Sequence, residues 1–98
     1  MAMTPEGRVK AAVKKRLKAL GVWWYCPVSN GMGRVGAPDF ICCHEGRFIA
    51  IETKAPGKRG DTTANQDKEI MGIHQAGGVA VVIDDVSQLD TVFTCQRP

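Results

Sequence analysis

The large aliphatic residues of the first twenty positions recur at intervals of three and four, which is the spacing of one helix face. This stripe consists of Val9, Val13, Leu17 and Leu20. Thr4 and Pro5 precede it as a helix cap and a first-turn proline, and Gly21 follows it as a stop signal. We therefore predict a helix from Pro5 to Leu20, with Glu6 at the head of the face that packs on the core.

After this helix the apolar residues form short continuous runs of strand length instead. We predict strands at residues 22–26, 40–43, 48–51 and 79–84. His44 to Arg47 separate the second run from the third, and Gly46 among them suits a tight turn. The second and third strands are therefore predicted to form a β-hairpin.

Two further segments have the signals of helices. Thr63 and Gln66 have the spacing of a capping box, and the predicted helix ends near Ala76, before two glycines. Asp85 and Gln88 are placed to cap a short final helix that ends near residue 92. The predicted order is αβββαβα, which is a small α/β domain with a mixed β-sheet flanked by helices.

The hairpin turn sets which residues face each other across the two strands. If Glu45 and Gly46 form a two-residue loop, Asp39 lies directly opposite Glu52, with Cβ atoms roughly 5 Å apart. Two carboxylates in this position repel each other unless a cation lies between them. A slip of one residue in the turn would place them on opposite faces of the sheet.

Lys54 lies two residues after Glu52, so strand alternation places both side chains on one face. Its ammonium can there reach a water or phosphate oxygen beside a metal ion, and hard oxygen ligands favour Mg²⁺ or Mn²⁺. The pattern predicts a metal-dependent phosphodiesterase centre. The alternative is an exposed strand end where Glu52 and Lys54 form a surface ion pair.

One ordered set of residues resembles the signature of the PD-(D/E)xK nucleases. It consists of Pro38 and Asp39 followed, after twelve intervening residues, by Glu52, Thr53 and Lys54. Three further features resemble the VRR-NUC (virus-type replication-repair nuclease) branch of that superfamily. They are residues 36–39 leading into the first site strand, Glu6 in the opening helix, and Gln66 in the helix after the site. The resemblance covers most of the chain and is to the small stand-alone members of phages and bacteria.

The resemblance implies a restriction-endonuclease-like fold and a divalent-metal-dependent endodeoxyribonuclease. Asp39 and Glu52 would bind one or two Mg²⁺ or Mn²⁺ ions, with the Thr53 carbonyl as a backbone ligand. Lys54 would orient the attacking water or neutralise charge at the phosphorus centre.

Two auxiliary residues are also implied, each with an alternative role. Glu6 would reach the edge of the site, or it serves only the helix dipole. Gln66 would hold Lys54 or a site water, or it serves only as the second half of the helix cap.

The net charge of +3 is small, but basic residues are unevenly distributed along the chain. One group lies in the opening helix, one residue lies in the glycine-rich segment 29–36, and a third group follows the site strand. The candidate DNA contacts are Lys14, Lys15, Lys18, Arg34, Lys58 and Arg59. For the helix, the equally weighted alternative is a solvated surface without a ligand.

Length and composition favour one globular domain spanning residues 1–98, since 44% of the 98 residues are hydrophobic. No run approaches the roughly 18 apolar residues of a membrane span, and the first ten residues lack the apolar core of a signal peptide. We therefore expect a cytoplasmic protein of a bacterial or phage-infected host cell. The glycine-rich segment lacks the ending of a P-loop, so no nucleotide cofactor is expected.

The short chain leaves no room for a separate sequence-reading domain, so we expect selection of DNA by shape. Four-way (Holliday) junctions or other branched DNA in replication, recombination or repair are the expected substrates, as in the family. A homodimer is expected because one active site per chain cannot easily cut two strands symmetrically. The alternatives are a non-catalytic nucleic-acid-binding module and a subunit that docks on a replication protein, and cleavage of RNA stays open.

Overall fold

The computed structural model describes residues 3–28 and 34–93 of the chain. The elements are α1 (Pro5–Leu20), β1 (Trp23–Tyr25), β2 (Phe40–His44), β3 (Arg47–Thr53), α2 (Ala64–Gln75), β4 (Val79–Ile83), a 3₁₀ helix (Val86–Leu89) and α3 (Asp90–Phe93). This order confirms the predicted αβββαβα arrangement, with the last predicted helix divided into a 3₁₀ turn and α3. Residues 29–33 of the glycine-rich segment lie outside the described residues.

The ends of α1 follow the predicted capping signals. The Thr4 hydroxyl accepts a hydrogen bond from the Gly7 N–H at 3.0 Å, and Gly21 adopts the left-handed conformation with φ of 70°. Three members of the aliphatic stripe are buried. Leu20 differs, because 40% of its surface is exposed at the end of the helix.

The four strands form one mixed sheet in the order β1-β2-β3-β4. The pairs β1–β2 and β2–β3 are antiparallel, whereas β3 and β4 are parallel. The parallel pair requires a crossover, which α2 provides. The structure is thus a small α/β domain with a four-stranded mixed sheet flanked by helices.

The β2–β3 hairpin has the predicted register. His44 pairs with Arg47, and the ladder continues to Phe40, which pairs with Ile51. Glu45 and Gly46 have φ of 52° and 78°, and two successive left-handed residues are typical of a type I′ turn. The ladder ends at this pair, and Asp39 and Glu52 are the next residues of the two segments.

The two faces of the sheet are covered unequally. One face packs against α1 and the C-terminal helices and forms the core. This core contains Val9, Val13, Leu17, Val22, Phe40, Cys42, Ile49, Ile51, Ile83, Leu89 and Phe93. On the other face α2 packs against β4 and contributes no fully buried residue.

The incompletely covered face contains a groove of about 650 Å³ between α2 and the outer strands. Its lining includes Tyr25, Val28, Pro38, Ile41, Phe48 and Ile73, and we call it the apolar groove. Tyr25 and Phe48 are 49% and 45% exposed there. None of the helices in residues 3–28 and 34–93 is long and apolar enough to cross a membrane.

Candidate active site

Asp39 lies directly before β2 and is held by the end of β3. Its Oδ2 atom accepts hydrogen bonds from the Thr53 backbone N–H at 2.9 Å and from the Thr53 hydroxyl at 2.6 Å. Because Thr53 is fully buried, these bonds fix the Asp39 carboxylate relative to the last residues of β3. Thr53, for which the sequence suggested only a carbonyl ligand, thus positions Asp39 through its N–H and hydroxyl.

Glu52 is the one buried carboxylate of the described residues, with 4% of its surface exposed. Its Oε2 atom accepts a hydrogen bond from Gln66 Nε2 at 2.8 Å and lies 3.9 Å from the Lys54 ammonium. Its Oε1 atom is buried and has no hydrogen-bond partner within the described residues. Burial, reinforced by the Asp39 carboxylate and only partly offset by Lys54, raises the pKa of Glu52 to about 7.

Gln66 links the helix cap to the site. Its Oε1 atom accepts hydrogen bonds from the Thr63 N–H at 2.9 Å and from the Lys54 ammonium at 3.1 Å, while its Nε2 donates to Glu52. The carboxamide therefore completes the capping box of α2 and also contacts two predicted site residues. The two roles that the sequence offered as alternatives for Gln66 occur together.

Lys10 is a member of this cluster that sequence analysis did not identify. Its ammonium lies 3.5 Å from Glu6 Oε2 and 3.5 Å from Asp39 Oδ1. Burial lowers the pKa of Lys10, but the Asp39 and Glu6 carboxylates outweigh it, so that the pKa is raised. Its position four residues after Glu6, on the same helix face, was the one sequence feature that could have indicated its pairing with Glu6. Its contact with Asp39 could not be predicted in this way, because it depends on how α1 packs on the sheet.

A comparison with solved structures finds a chain described as a VRR_NUC domain. The match has a TM-score of 0.72 and 26% sequence identity, and it covers 97% of this chain and 100% of that chain. The predicted resemblance to the VRR-NUC family is confirmed. No protein-family model and no curated protein sequence matches the chain. The match supports a nuclease-family domain, and the fold is consistent with the restriction-endonuclease-like fold predicted from the sequence.

The predicted basic residues fall into three groups, on α1, in the loop after β3 and before β2. Lys14 and Lys18 follow Lys10 at intervals of four residues along α1, and Lys15 lies beside this row. All three are exposed. They therefore extend a basic helix surface away from the end where Lys10 meets Asp39.

A second basic group lies in the loop that follows β3, where Lys58 and Arg59 are both exposed. The loop is anchored by a hydrogen bond of 2.8 Å from the Gly57 N–H to Asp84 Oδ2 at the end of β4. This bond and a second one from Gln88 lower the pKa of Asp84. The anchor ties this loop to the end of β4, which pairs with the end of β3.

Arg34, which alone makes up the third basic group, forms an ion pair of 3.0 Å with Glu69 of α2. Its side chain is 78% exposed, whereas that of Glu69 is 18% exposed. The pair ties the segment before Asp39 to α2. The charge of Arg34 is consequently offset by Glu69.

Gly36 packs closely against the first turn of α2. Its φ is 82°, and a Cβ atom at this position would lie 2.5 Å from the Asn65 carbonyl carbon and 2.8 Å from the Gln66 nitrogen. Only glycine allows this approach at such a φ without displacing the backbone. Gly36 therefore sets the distance between the segment leading to Asp39 and the helix turn that carries Gln66.

The donor atoms at the candidate site fit a hard divalent cation, although few carboxylates converge. Within residues 3–28 and 34–93, no group of three or more His, Cys, Asp or Glu side chains is arranged to hold a metal ion. Glu52 nevertheless presents a buried oxygen without a hydrogen-bond partner, and the Asp39 carboxylate is near enough to raise its pKa. Two such oxygen donors beside each other match the ligand preference of Mg²⁺ and Mn²⁺.

Proposed function

We propose that this protein is a divalent-metal-dependent DNA endonuclease that hydrolyses phosphodiester bonds. The observation that supports this function is the buried Glu52 carboxylate, with one unpartnered oxygen, next to Asp39 and Lys54 at one end of the sheet. An ordinary structural carboxylate would have both oxygens hydrogen-bonded when buried. The VRR-NUC match supports nuclease chemistry for the same cluster.

Asp39 and Glu52 would hold a Mg²⁺ or Mn²⁺ ion, with the Thr53 carbonyl as a backbone ligand. A bound ion of this kind lowers the pKa of a coordinated water and stabilises negative charge on the phosphate. Thr53 contributes by holding Asp39 through two hydrogen bonds, so that one carboxylate oxygen has a fixed position before any ion or substrate binds.

Lys54 would orient the attacking water or neutralise charge at the phosphorus centre. Its ammonium is held by Gln66 at 3.1 Å and lies beside Glu52, so its direction is fixed by two polar neighbours. The side chain is 13% exposed, which strengthens its electrostatic effect relative to a lysine in open solvent. Gln66 would thus act as a positioning residue, and Glu6 as an auxiliary one through its contact with Lys10.

DNA with branch points is the substrate that we propose. The basic loop with Lys58 and Arg59 would bind phosphates close to the site, and Lys14, Lys15 and Lys18 would bind a second stretch of backbone along α1. Contacts of this kind read the path of the backbone rather than base edges. They support selection of four-way junctions or other branched DNA by shape.

A second function is favoured by the hydrogen bonds between Asp39 and Thr53, which tie the residue before β2 to the end of β3 and would be useful without catalysis. The chain would then be a non-catalytic nucleic-acid-binding module, or a subunit that docks on a replication protein. The unpartnered oxygen of Glu52 has no purpose in either role, because leaving it buried costs stability.

The test is cleavage of labelled four-way junction, flap and linear duplex DNA with Mg²⁺, Mn²⁺ or EDTA. Wild-type protein is compared with Glu52→Gln and with Glu45→Gln, a matched control at the turn of the same hairpin. We expect metal-dependent cleavage by wild type and the Glu45 variant, and none by the Glu52 variant. Binding without cleavage under every metal condition would favour the non-catalytic module.

A further inference from the structure

The ammonium of Lys10 joins two carboxylates that come from different parts of the fold. Glu6 is one turn away on α1, at 3.5 Å, whereas Asp39 precedes β2 and also lies at 3.5 Å. The pair with Glu6 is common for residues four apart in a helix. The pair with Asp39 is a tertiary contact that connects α1 to the candidate active site.

The two oxygens of Asp39 contact partners that differ in burial. Oδ2 accepts its hydrogen bonds from Thr53, which is fully buried. Oδ1 faces Lys10, a long side chain that is 41% exposed. A cation that binds Asp39 can therefore gain an oxygen most easily at Oδ1, where the existing contact is made by a flexible side chain.

Lys10 offsets part of the acidic charge that would otherwise attract a second cation to this cluster. Glu6, Asp39 and Glu52 are its acidic members, and Lys10 and Lys54 are its basic members. With all five ionised, the three acids and two bases leave a net charge of −1. A divalent ion near Asp39 consequently meets an ammonium group at the oxygen that it needs.

We propose that Lys10 competes with divalent metal ions for the Asp39 carboxylate and so lowers the affinity of the site for them. This proposal rests on the proposed metal site. The ammonium partly offsets the charges of Asp39 and Glu6 when no ion is bound, which stabilises the fold around the site. Binding of an ion requires Lys10 to leave Oδ1, so the affinity for the ion is reduced by the free energy of that contact.

The experiment is a calorimetric titration of Mn²⁺ into wild-type protein and four variants at constant pH, without DNA. Lys10→Met removes the competing charge, Lys10→Arg keeps it, and Asp39→Asn weakens the site itself. Lys68→Met, on the exposed surface of α2, is the control for a change in net charge alone. We expect Lys10→Met to bind Mn²⁺ about threefold tighter or more, and Lys10→Arg and Lys68→Met to stay within about twofold of wild type.

A second readout follows Lys10 directly in folded wild-type protein. With ¹³C-labelled lysine, the ε-methylene signal of Lys10 should shift as Mg²⁺ is added, with the midpoint of Mg²⁺ binding measured on the same sample. This titration decides the question even where Lys10→Met fails to fold. A Lys10 signal that stays constant while Mg²⁺ binds would overturn the proposal.

The variants separate failure of this proposal from failure of the metal site. Unchanged or weaker Mn²⁺ binding in Lys10→Met, together with its loss in Asp39→Asn, would overturn the role of Lys10 alone. Mn²⁺ binding that is absent in wild type, or equally strong in Asp39→Asn, would overturn the proposed metal site and this proposal with it.

Discussion

At the scale of single residues, the site depends on a few side chains that each serve two neighbours. Gln66 donates to Glu52 and accepts from Lys54, while Lys10 contacts Asp39 and Glu6. Each carboxylate of the cluster therefore contacts at least one basic or amide side chain. Substitutions here are expected to change activity and stability in different directions, which makes them informative.

Lys54→Ala should keep metal binding and lose most of the catalytic rate. The ammonium is held by Gln66 rather than by Asp39, so its removal leaves the proposed ligands in place. We expect single-turnover cleavage to fall by roughly 10²–10³-fold, as for the loss of one preorganised electrostatic group. Mn²⁺ affinity, measured by calorimetry, should change little. Lys68→Ala is the control, and equal activity of the Lys54 variant would remove Lys54 from the mechanism.

Glu52→Gln should stabilise the protein at neutral pH when divalent ions are removed by EDTA. Because the pKa of Glu52 rises from 4.5 to about 7 in the folded state, its contribution to the free energy of unfolding is highest below about pH 4.5. This contribution falls as the pH rises through 7. The neutral glutamine avoids the loss, which we estimate at roughly 1–3 kcal/mol.

Urea denaturation of both proteins at pH 5 and pH 8 measures this effect. We expect the two stabilities to be close at pH 5 and the Gln variant to be more stable at pH 8. Glu45→Gln, at the exposed turn of the same hairpin, should show no such pH-dependent gain. A Glu52 variant that is less stable than wild type at pH 8 would contradict the burial argument.

At the scale of elements, the parts of the fold set by local signals could be predicted from the sequence. The Glu45-Gly46 turn and strand alternation determine the hairpin register, so Asp39 and Glu52 were predicted at one end of it. The caps at Thr4 and Thr63 likewise determine where two helices begin. Lys10 could not be predicted as a site residue, because its contact with Asp39 depends on the packing of α1 against the sheet.

The close packing of Gly36 is the second feature that only the tertiary structure shows. Replacing Gly36 with alanine is predicted to displace α2. In Gly36→Ala the new Cβ would lie 2.5 Å from the Asn65 carbonyl carbon, so the helix turn that carries Gln66 must move. We expect a loss of roughly 1–3 kcal/mol in the free energy of unfolding and a large loss of cleavage. Urea denaturation and the junction-cleavage assay measure the two effects.

The control for Gly36→Ala is Gly77→Ala. Gly77 also has a positive φ, of 93°, but no atom lies within 4 Å of a Cβ built there. Gly77→Ala therefore has the same cost of placing alanine at a positive φ as Gly36→Ala, but without the steric clash. A smaller loss of stability with normal cleavage in Gly77→Ala would assign the defect to contact with α2, whereas equal effects in both variants would assign it to backbone conformation alone.

At the scale of the whole molecule, the sheet has one covered face and one face that is only partly covered. The predicted helix on each face is present, but α2 lies to one side and leaves the apolar groove with Tyr25 and Phe48 partly exposed. Trp23, two residues before Tyr25 on the edge strand β1, is 61% exposed. Exposed aromatic side chains of this kind are enriched at protein interfaces. The sequence predicted a homodimer from the need to cut two strands, without indicating a surface.

We therefore predict that the apolar groove is the dimer interface, and that Phe48→Asp prevents self-association. A charge at the floor of an apolar interface would be desolvated without a partner, which disfavours the dimer by several kcal/mol. Sedimentation should give wild type a mass of about twice the 10.6 kDa chain and the variant the mass of one chain. The variant should still nick a single strand, because Phe48 lies four residues from Glu52 along β3, while coordinated cleavage of both strands of a four-way junction is lost.

The matched control for Phe48→Asp is Met71→Asp. Met71 is an exposed hydrophobic residue of α2 that is not part of the groove lining, so this variant should stay dimeric. Wild type that sediments as a monomer at the concentration of the cleavage assay would contradict the dimer, and a dimeric Phe48 variant would move the interface away from the groove.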